Sequence, residues 1–522
     1  MNPYRLKKQV KGAAWLTIAA LFVKVLSAVY RVPYQNMVGN QGFYIFQQVY
    51  PLFGLSQALA LNSLPQFLAS LFVEEEQLEK RAQVIVATFG LVTILSVALF
   101  ALFYGGSTYW AQWMGDSQLE PVIKSASWSL LCIPILSVLR GVGQAQLELV
   151  PTAVSMVGEQ IARVLVILSS ALFISGNLYT VNTMAMRGGV MGSGIGIVIL
   201  MICSIRKKPM MLKILSRLKI DRATYAYIMQ RFMKEALVFI GFSLLLISLQ
   251  AIDALNLLSR LLTSGLSFAT ATAEKGIYDR AQPIFQMGAI IAISITTAFT
   301  PVLRQAHRQS MKSVELNAVE QEQSLLRVVH LISLFATVGL YVVMPQLNIV
   351  LFKTNEGIIA LRLFCLGLYP FCMALAYQTI QQGRRQFATG LFTLILTGMT
   401  KSIGNWLLVP IAQINGAAWS TLISLCVTFI LMRHFSNSSF TQWREIRQHI
   451  IAVTVMLGVC LSIAYVLPTT HRGQAFIVLM MQLGCGAVIG IEWIYRKKWL
   501  KEQEWWLLPM GERFARKGIW PF

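Results

Sequence analysis

Basic side chains inside apolar stretches are the residues of this chain that could do chemistry. Five of them stand within long hydrophobic runs: Lys24, Arg31, Arg163, Arg260 and Lys401. A charge at the centre of a membrane helix costs about 2.5–3.5 kcal/mol on insertion scales, so it persists mainly where it meets a partner or a wet cavity. Guanidinium groups bind phosphate oxygens through paired hydrogen bonds. These cations therefore predict a binding site for an anion, and for a diphosphate in particular.

Two of these arginines occupy equivalent places in two similar patterns. Polar residues recur at spacings of 3, 4 and 4 residues in Lys24, Ser27, Arg31 and Gln35, and again in Asp253, Asn256, Arg260 and Ser264. Such spacing puts four polar residues on one face of a helix. We predict that Lys24, Arg31 and Arg260 bind the substrate. The alternative role for the two arginines is hydrogen bonding to carbonyl groups of neighbouring helices.

An acid accompanies one of the other cations. Glu159 precedes Arg163 by four residues, a spacing that favours an ion pair within one helix. The two residues are predicted either to neutralise each other or to act as a gate or a brace between lobes. Lys401 follows Thr389 by twelve residues, just as Arg163 follows Pro151 by twelve. The two cations therefore occupy similar places in two helices, and Lys401 is also predicted to act in gating.

Asp253 stands apart because it has no cation four residues away, although Arg260 lies on its face two turns later. It is predicted to hold a coupling ion or a proton, or to be the buried partner of Arg260 or Lys24. The scattered histidines, and the cysteines without a CxxC, predict neither a metal site nor a disulfide framework.

Motifs for an enzyme are missing from the sequence. It contains no P-loop, GxxxxGK[ST], and no acid pair or nucleophile motif. We therefore predict a transporter and not an enzyme. No cofactor is indicated, and transport would run on the membrane potential, an H⁺ or Na⁺ gradient, or downhill flux.

Composition places these residues in a membrane. The 522 residues include 44 Lys and Arg against 22 Asp and Glu, a net charge of +22, with 56% hydrophobic and 13% charged residues. A soluble domain averages about 25% charged residues, so a large soluble domain is excluded. The basic residues lie in short segments between apolar runs rather than in one patch, so no nucleic-acid partner is expected.

Apolar stretches long enough to cross a bilayer number about fourteen, at roughly 20 residues each. We predict an all-α polytopic membrane protein with two six-helix lobes and two C-terminal helices. The predicted parts are a first lobe at 1–205, a cytoplasmic basic amphipathic linker at 206–234, a second lobe at 235–434, helices 13 and 14 at 435–496 and a cytoplasmic amphipathic tail at 497–522. Linker and tail are expected to contact anionic lipid headgroups. The first apolar run has no cleavage pattern and is expected to be a retained helix.

Charge asymmetry predicts the orientation. Alternating the connections gives 32 cations on the cytoplasmic side, Arg140 among them, and four outside, which are Lys275, Arg280, Lys353 and Arg472. Cytoplasmic loops retain Lys and Arg, so both termini are predicted to be cytoplasmic. The patterns of helices 1 and 7 recur at an offset of 229 residues. Six helices per repeat is an even number, so the two repeats are predicted to be parallel.

Three segments resemble a known family of transporters. They are LRGVGQAQLELVPTAVSMVGEQIARV (139–164), GIYDRAQPIFQMGAIIAISITTAFTPVLRQA (276–306) and INGAAWSTLISL (414–425). They are similar to helices 4 and 5, helix 8 and helix 12 of the polysaccharide transporter branch of the multidrug/oligosaccharidyl-lipid/polysaccharide (MOP) exporter superfamily. Within that branch the chain resembles the stage V sporulation protein B and MurJ-type lipid II flippases of Gram-positive bacteria.

This resemblance implies two lobes around a central cavity and alternating access. It implies a flippase that carries an undecaprenyl-diphosphate-linked cell-wall precursor outward, with lipid II the leading candidate and cell-wall synthesis proteins as partners. Basic residues on helix 1 and at the start of helix 8 line the family's site, which implies roles for Lys24, Arg31 and Arg280. Characterised Gram-negative members also have Arg on helix 2, whereas residues 41–73 here contain no Lys or Arg.

Three alternatives stay open at this point. The first is export of another lipid-linked repeat unit, from teichoic acid, capsule or exopolysaccharide. The second is a multidrug or cation antiporter, against which the cationic helix faces count. The third is a membrane-embedded glycosyltransferase or acyltransferase, which would need a catalytic acid or histidine at a membrane face.

Overall fold

The structure is a computed structural model that describes most of the chain. The described residues are 3–74, 77–174, 176–205, 222–236, 240, 244–310, 315–384, 386, 388–436, 443–467 and 471–505. Most of the predicted linker, residues 206–221, and most of the predicted tail, residues 506–522, lie outside them. Within the described residues every regular element is a helix. They form two compact units, Met1–Asp279 and Arg280–Phe522.

The first unit contains twelve α-helices in its described residues. They are α1 (Pro3–Val29), α2 (Arg31–Gln57), α3 (Leu64–Glu74), α4 (Leu78–Phe100), α5 (Ser107–Trp113), α6 (Glu120–Ser127), α7 (Ile133–Ala145), α8 (Leu149–Phe173), α9 (Leu178–Ile205), α10 (Arg222–Arg231), α11 (Leu245–Thr263) and α12 (Phe268–Asp279). Short π-helical or 3₁₀ segments join several of them, at Ala58–Ser63, Ala101–Gly105, Ser117–Leu119, Trp128–Cys132 and Phe232–Ala236.

The second unit contains eight α-helices in its described residues. They are α13 (Ala281–Ser310), α14 (Glu315–Phe352), α15 (Ile358–Leu366), α16 (Leu368–Gly383), α17 (Ala388–Ser436), α18 (Trp443–Val466), α19 (Arg472–Arg496) and α20 (Glu502–Trp505). The predicted boundaries of lobes, linker and appended helices stay a prediction.

Helix α2 reverses direction near its start. Gly39 has φ +70° and ψ −175°, a backbone conformation that glycine adopts without steric cost. On either side of it, the rings of Tyr34 and Phe46 lie 4.9 Å apart, and the guanidinium of Arg31 lies 4.1 Å from the ring centroid of Tyr50. In these contacts, residues progressively farther before Gly39 meet residues progressively farther after it, which defines an antiparallel helical hairpin. Arg31 therefore lies on the first arm, in continuation of α1.

Helix α17 is a second hairpin. Gln413 interrupts it with φ 50° and ψ −130°. The hydroxyls of Thr397 and Thr428 lie 2.7 Å apart, and the Lys401 Nζ lies 2.7 Å from the Thr421 Oγ1, so the two arms run antiparallel. A side chain at Gly416 would place its Cβ 2.1 Å from a backbone oxygen of the opposite arm, which explains the glycine there.

Eleven helices in the described residues are long and apolar enough to cross a membrane. One of them, Thr389–Ser436, is the α17 hairpin of 48 residues, which is twice the length that a single crossing needs. The predicted first two spans fall in the hairpin of α1 to α3, which is not among the eleven. With α17 counted as two spans and that hairpin included, the helices agree with the fourteen predicted. The chain is an all-α, multi-span membrane protein.

Three cations assigned to connections by the charge count are buried within helices or directly next to one instead. Lys275 lies in α12, 1% exposed, with its Nζ 2.9 Å from the Asp279 carboxylate. Arg280, 3% exposed, immediately precedes α13, and Arg140 is fully buried in α7. Their assignment to exposed connections was wrong, because the helices extend past the apolar cores and nearby carboxylates stabilise the charges.

Candidate functional site

Arg31 is buried in the first unit, and no carboxylate pairs with it within the described part of the chain. Its side chain is fully buried and stacks on Tyr50 as a cation–π pair, with 4.1 Å between the guanidinium carbon and the ring centroid. Within the described residues, none of its three nitrogens has an acceptor in hydrogen-bonding geometry. The hydroxyl groups of Tyr30 and Tyr50 are its nearest polar neighbours and interact with it electrostatically and as weak hydrogen-bond partners. Burying an unpaired charge is costly, so this guanidinium is suited to bind an anion.

A row of aromatic rings connects Arg31 to Arg163. We call Phe46, Tyr50 and Phe53 the aromatic row, with centroids 5.8 and 5.6 Å apart along one face of α2. Arg31 stacks on Tyr50, and the guanidinium of Arg163 lies 4.2 Å from the ring centroid of Phe53. The second arm of the hairpin therefore presents neighbouring rings to arginines from α8 and from the first arm.

Glu159 is the carboxylate that balances the neighbouring arginines. Its Oε2 accepts a hydrogen bond of 2.6 Å from Arg140, and its Oε1 accepts one of 2.7 Å from Arg163. Gln57 donates to the same Oε1 at 2.6 Å. All three charged side chains are at most 3% exposed. The network ties α2, α7 and α8 together, and the ion pair expected from the spacing of Glu159 and Arg163 is present.

Glycines let helix α9 approach this network. A Cβ at Gly192 would lie 2.6 Å from the Glu159 backbone oxygen, and a Cβ at Gly196 would lie 3.3 Å from its carboxylate. Ser155 donates to the Gly196 carbonyl at 3.1 Å and lies 3.1 Å from Arg140. The carboxylate is thus enclosed by backbone on the α9 side.

We define the arginine cluster as Arg31, Arg140, Arg163 and Glu159, which together carry three positive charges and one negative charge. Sequence analysis found three of these residues and missed Arg140 as a site residue. Arg140 stands in the segment 139–164 together with Glu159 and Arg163, and that shared stretch was the available signal. The surplus of positive charge makes the cluster suited to an anion and unsuited to an organic cation.

The other predicted site residues of the first unit lie on α1 and α11. Lys24 is half-buried two helical turns before Arg31, and the described residues offer it no hydrogen bond or ion pair. Asp253 is buried and accepts a hydrogen bond of 3.0 Å from the Tyr278 hydroxyl. Arg260 is half-buried in the last turn of α11, where a cation interacts favourably with the helix dipole. Their roles stay predictions.

Two predicted site residues belong to the second unit. Arg280 lies over the ring of Phe352 at 5.2 Å, and its Nη2 is 3.9 Å from the Glu356 carboxylate. Lys401 is fully buried, and its ammonium donates to the Thr421 hydroxyl at 2.7 Å and to the Ala417 carbonyl at 3.2 Å. Lys401 thus joins the two arms of α17, and its predicted role in gating is untested.

The second arm of the α2 hairpin carries glutamines and contains no Lys or Arg. Gln48 is fully buried and donates to the Ala254 carbonyl at 2.7 Å, linking α2 to α11. Gln57 holds Glu159, as described above. These two glutamines therefore connect helices within the first unit.

The sequence has relatives of known name. The polysaccharide biosynthesis protein family matches residues 9–307. The uncharacterized membrane protein YabM of Bacillus subtilis (strain 168) is 30% identical, over 97% of this chain and 96% of its own length. The lipid II flippase MurJ of the same organism is 22% identical, over 98% of this chain and 99% of its own. The stage V sporulation protein B of Bacillus subtilis (strain 168) is 24% identical, over 60% of this chain and 62% of its own length.

The fold is similar to those of two solved transporters. A lipid II flippase MurJ in an inward closed conformation superposes with a TM-score of 0.70 at 12% identity, covering 92% of this chain and 99% of the other. An inward-facing multidrug resistance MATE family transporter of the MOP superfamily superposes with a TM-score of 0.63 at 15% sequence identity, covering 81% of this chain and 97% of the other. At such identities the likeness shows the fold alone. Since the family match spans more than half of the sequence and YabM, 30% identical, aligns over nearly all of it, the chain belongs to the polysaccharide biosynthesis protein family.

Proposed function

We propose that this protein is a flippase that moves an undecaprenyl-diphosphate-linked cell-wall precursor, lipid II, from the inner to the outer leaflet by alternating access. The observation that carries the proposal is Arg31, a fully buried guanidinium that forms no ion pair within the described residues and whose nitrogens have no acceptor there in good hydrogen-bonding geometry. The names of two relatives, a lipid II flippase and a sporulation protein, are compatible with it.

A diphosphate matches this site in charge and in geometry. It offers several acceptor oxygens, and an arginine can bind two of them in parallel. Lys24 lies two turns away on the same helix and adds a second positive charge. The aromatic row holds Arg31 in place, so little side-chain entropy is lost on binding. An organic cation would meet net positive charge at the same place, which disfavours the drug-antiporter alternative.

The predicted residues divide into two roles under this proposal. Lys24, Arg31, Arg260 and Arg280 attract the diphosphate. Asp253, Glu159, Arg163 and Lys401 bias the conformational change or hold a coupling ion. The energy would come from the membrane potential or an H⁺ or Na⁺ gradient, without a cofactor, and anionic lipids and cell-wall synthesis proteins would be the partners.

Complementation tests the proposal. A bacterium whose only lipid II flippase can be depleted would receive wild type, Arg31→Gln or Arg31→Lys. We expect wild type to restore growth and to clear lipid II from the inner leaflet, and Arg31→Gln at equal membrane level to fail. We expect Arg31→Lys to rescue only partly, because an ammonium cannot form the paired bonds of a guanidinium.

Arg362→Gln is the matched control. Arg362 also stacks on a tyrosine, 5.1 Å from the Tyr341 ring, but its Nε donates to the Tyr341 carbonyl at 3.1 Å, so its charge has a partner. This variant should rescue as wild type does. Full rescue by Arg31→Gln would contradict the role of Arg31. Failure of a correctly inserted wild type would redirect the proposal to another lipid-linked repeat unit, from teichoic acid, capsule or exopolysaccharide.

A further inference from the structure

Glu159 holds two arginines with one carboxylate, one on each oxygen. Arg140 bonds to Oε2 at 2.6 Å and Arg163 bonds to Oε1 at 2.7 Å. Both arginines keep a buried Nε without an acceptor in the described residues. The group is therefore short of negative charge and of acceptor atoms, even with Glu159 ionised.

The two arginines are not anchored equally. Arg140 also donates to the Ala60 carbonyl at 3.3 Å and lies 3.1 Å from the Ser155 hydroxyl, so backbone and side chains of other helical turns fix it. The hydrogen bonds of Arg163 go only to Gln160 and Glu159, one turn earlier on its own helix, within the described residues. Arg163 can therefore exchange acceptors by a side-chain rotation, whereas Arg140 cannot without breaking contacts between helices.

Arg163 is the member of the pair that is close to Arg31. Its guanidinium stacks on Phe53, the neighbour of Tyr50 in the aromatic row. Tyr30, next to Arg31 in sequence, is an electrostatic neighbour of both arginines. An anion bound at Arg31 would thus lie in the positive field of Arg163, and Glu159 would be the group that competes with it.

We propose that Glu159 is a built-in counter-ion that occupies Arg163 while the site is empty, and that the diphosphate of the substrate displaces it. Glu159 thereby limits the affinity of the site, which permits release after translocation, and Arg163 is a second phosphate-binding arginine. This inference rests on the proposed function. A purely structural role for Glu159 would leave affinity unchanged or lower it, whereas a competing counter-ion raises affinity when its charge is removed.

Binding of inorganic pyrophosphate to the purified full-length protein tests this. We would compare wild type, Glu159→Gln, Arg163→Met and Arg31→Gln by calorimetry. Glu159→Gln should bind pyrophosphate more tightly, on the order of tenfold, which lies within the roughly 5–150-fold by which one bound group typically changes the affinity for another. Its transport should be slower because release is impaired. Arg163→Met leaves the pair of Arg140 and Glu159 intact, should fold, and should bind severalfold more weakly.

Asp116→Asn is the control for removing a buried carboxylate. Asp116 is 4% exposed and accepts hydrogen bonds from the hydroxyls of Tyr44 and Tyr179 and from the backbone N–H of Gln118, and no arginine of the described residues pairs with it. It should leave pyrophosphate affinity unchanged. A folded Glu159→Gln without tighter binding, or an Arg163→Met that binds as wild type, would overturn the inference. Should wild type bind no pyrophosphate, or bind it equally well as Arg31→Gln, the proposed function itself would fall.

Discussion

Buried cations in the two units are satisfied by different chemical groups. Arg163 pairs with a carboxylate, whereas Lys401 donates to the Thr421 hydroxyl and the Ala417 carbonyl. Both side chains are buried, and a carboxylate is among the acceptors of Arg163, while a hydroxyl and a carbonyl are among those of Lys401.

The contact between Lys401 and Thr421 predicts a measurable loss of stability. Thr421→Val removes one acceptor from a buried ammonium, which should cost about 1–3 kcal/mol in unfolding free energy. The measurement is the thermal unfolding midpoint of the detergent-purified protein. In the double variant Lys401→Met with Thr421→Val the charge is gone, so the loss should be smaller than the two single losses together. Strictly additive losses would show that the two side chains are not coupled.

One ion pair of the site could be predicted from the spacing of its residues in the sequence. Glu159 and Arg163 are four residues apart on one helix, so their pairing follows from helix geometry. Arg140 is nineteen residues before Glu159 on another helix, and only tertiary packing brings the two together. The stacking of Arg31 on Tyr50 also could not be predicted from the sequence pattern, because it joins residues on the two arms of a hairpin.

At the scale of elements, the two reversals fall between apolar spans that the sequence predicts as separate. The predicted spans 10–36 and 43–73 flank Gly39, and the predicted spans 387–410 and 414–432 flank Gln413. The pattern did not show that helical structure continues up to each reversal without a longer loop. The buried positions of Lys275 and Arg280 were missed because a charge count treats every cation beyond an apolar core as part of a connection.

The α17 hairpin predicts which glycines tolerate a methyl group. Gly416→Ala would bring a Cβ to 2.1 Å from the Leu408 carbonyl oxygen and should cost about 1–3 kcal/mol through overpacking. Gly458 in α18 has no described atom within 4 Å of an added Cβ, so Gly458→Ala should not lower stability. The measurement is the thermal unfolding midpoint of each variant in detergent, which should fall for Gly416→Ala and stay at the wild-type value for Gly458→Ala. Equal midpoints for the two variants would contradict the close approach of the α17 arms.

For the whole molecule, the overall composition predicts the protein class more firmly than any single site predicts the substrate. Low charge, high apolar content and the excess of cations in one set of connections indicate a multi-span protein, and the relatives and similar folds agree. Orientation with both termini in the cytoplasm stays a prediction of the charge asymmetry. The saccharide is not encoded in these patterns, because under the proposed function the cationic residues bind the diphosphate, which many lipid-linked precursors share.

Transport by the purified protein in lipid vesicles tests the central claim most directly. Headgroup-labelled lipid II would be placed in the vesicles, and its accessibility to a membrane-impermeant reagent followed over time for wild type, Arg31→Gln and the Arg362→Gln control. We predict that wild type and Arg362→Gln accelerate exposure of the headgroup. Arg31→Gln should be slower by at least about tenfold, which corresponds to about 1.4 kcal/mol. No acceleration by folded wild type, or equal rates for wild type and Arg31→Gln, would contradict the account.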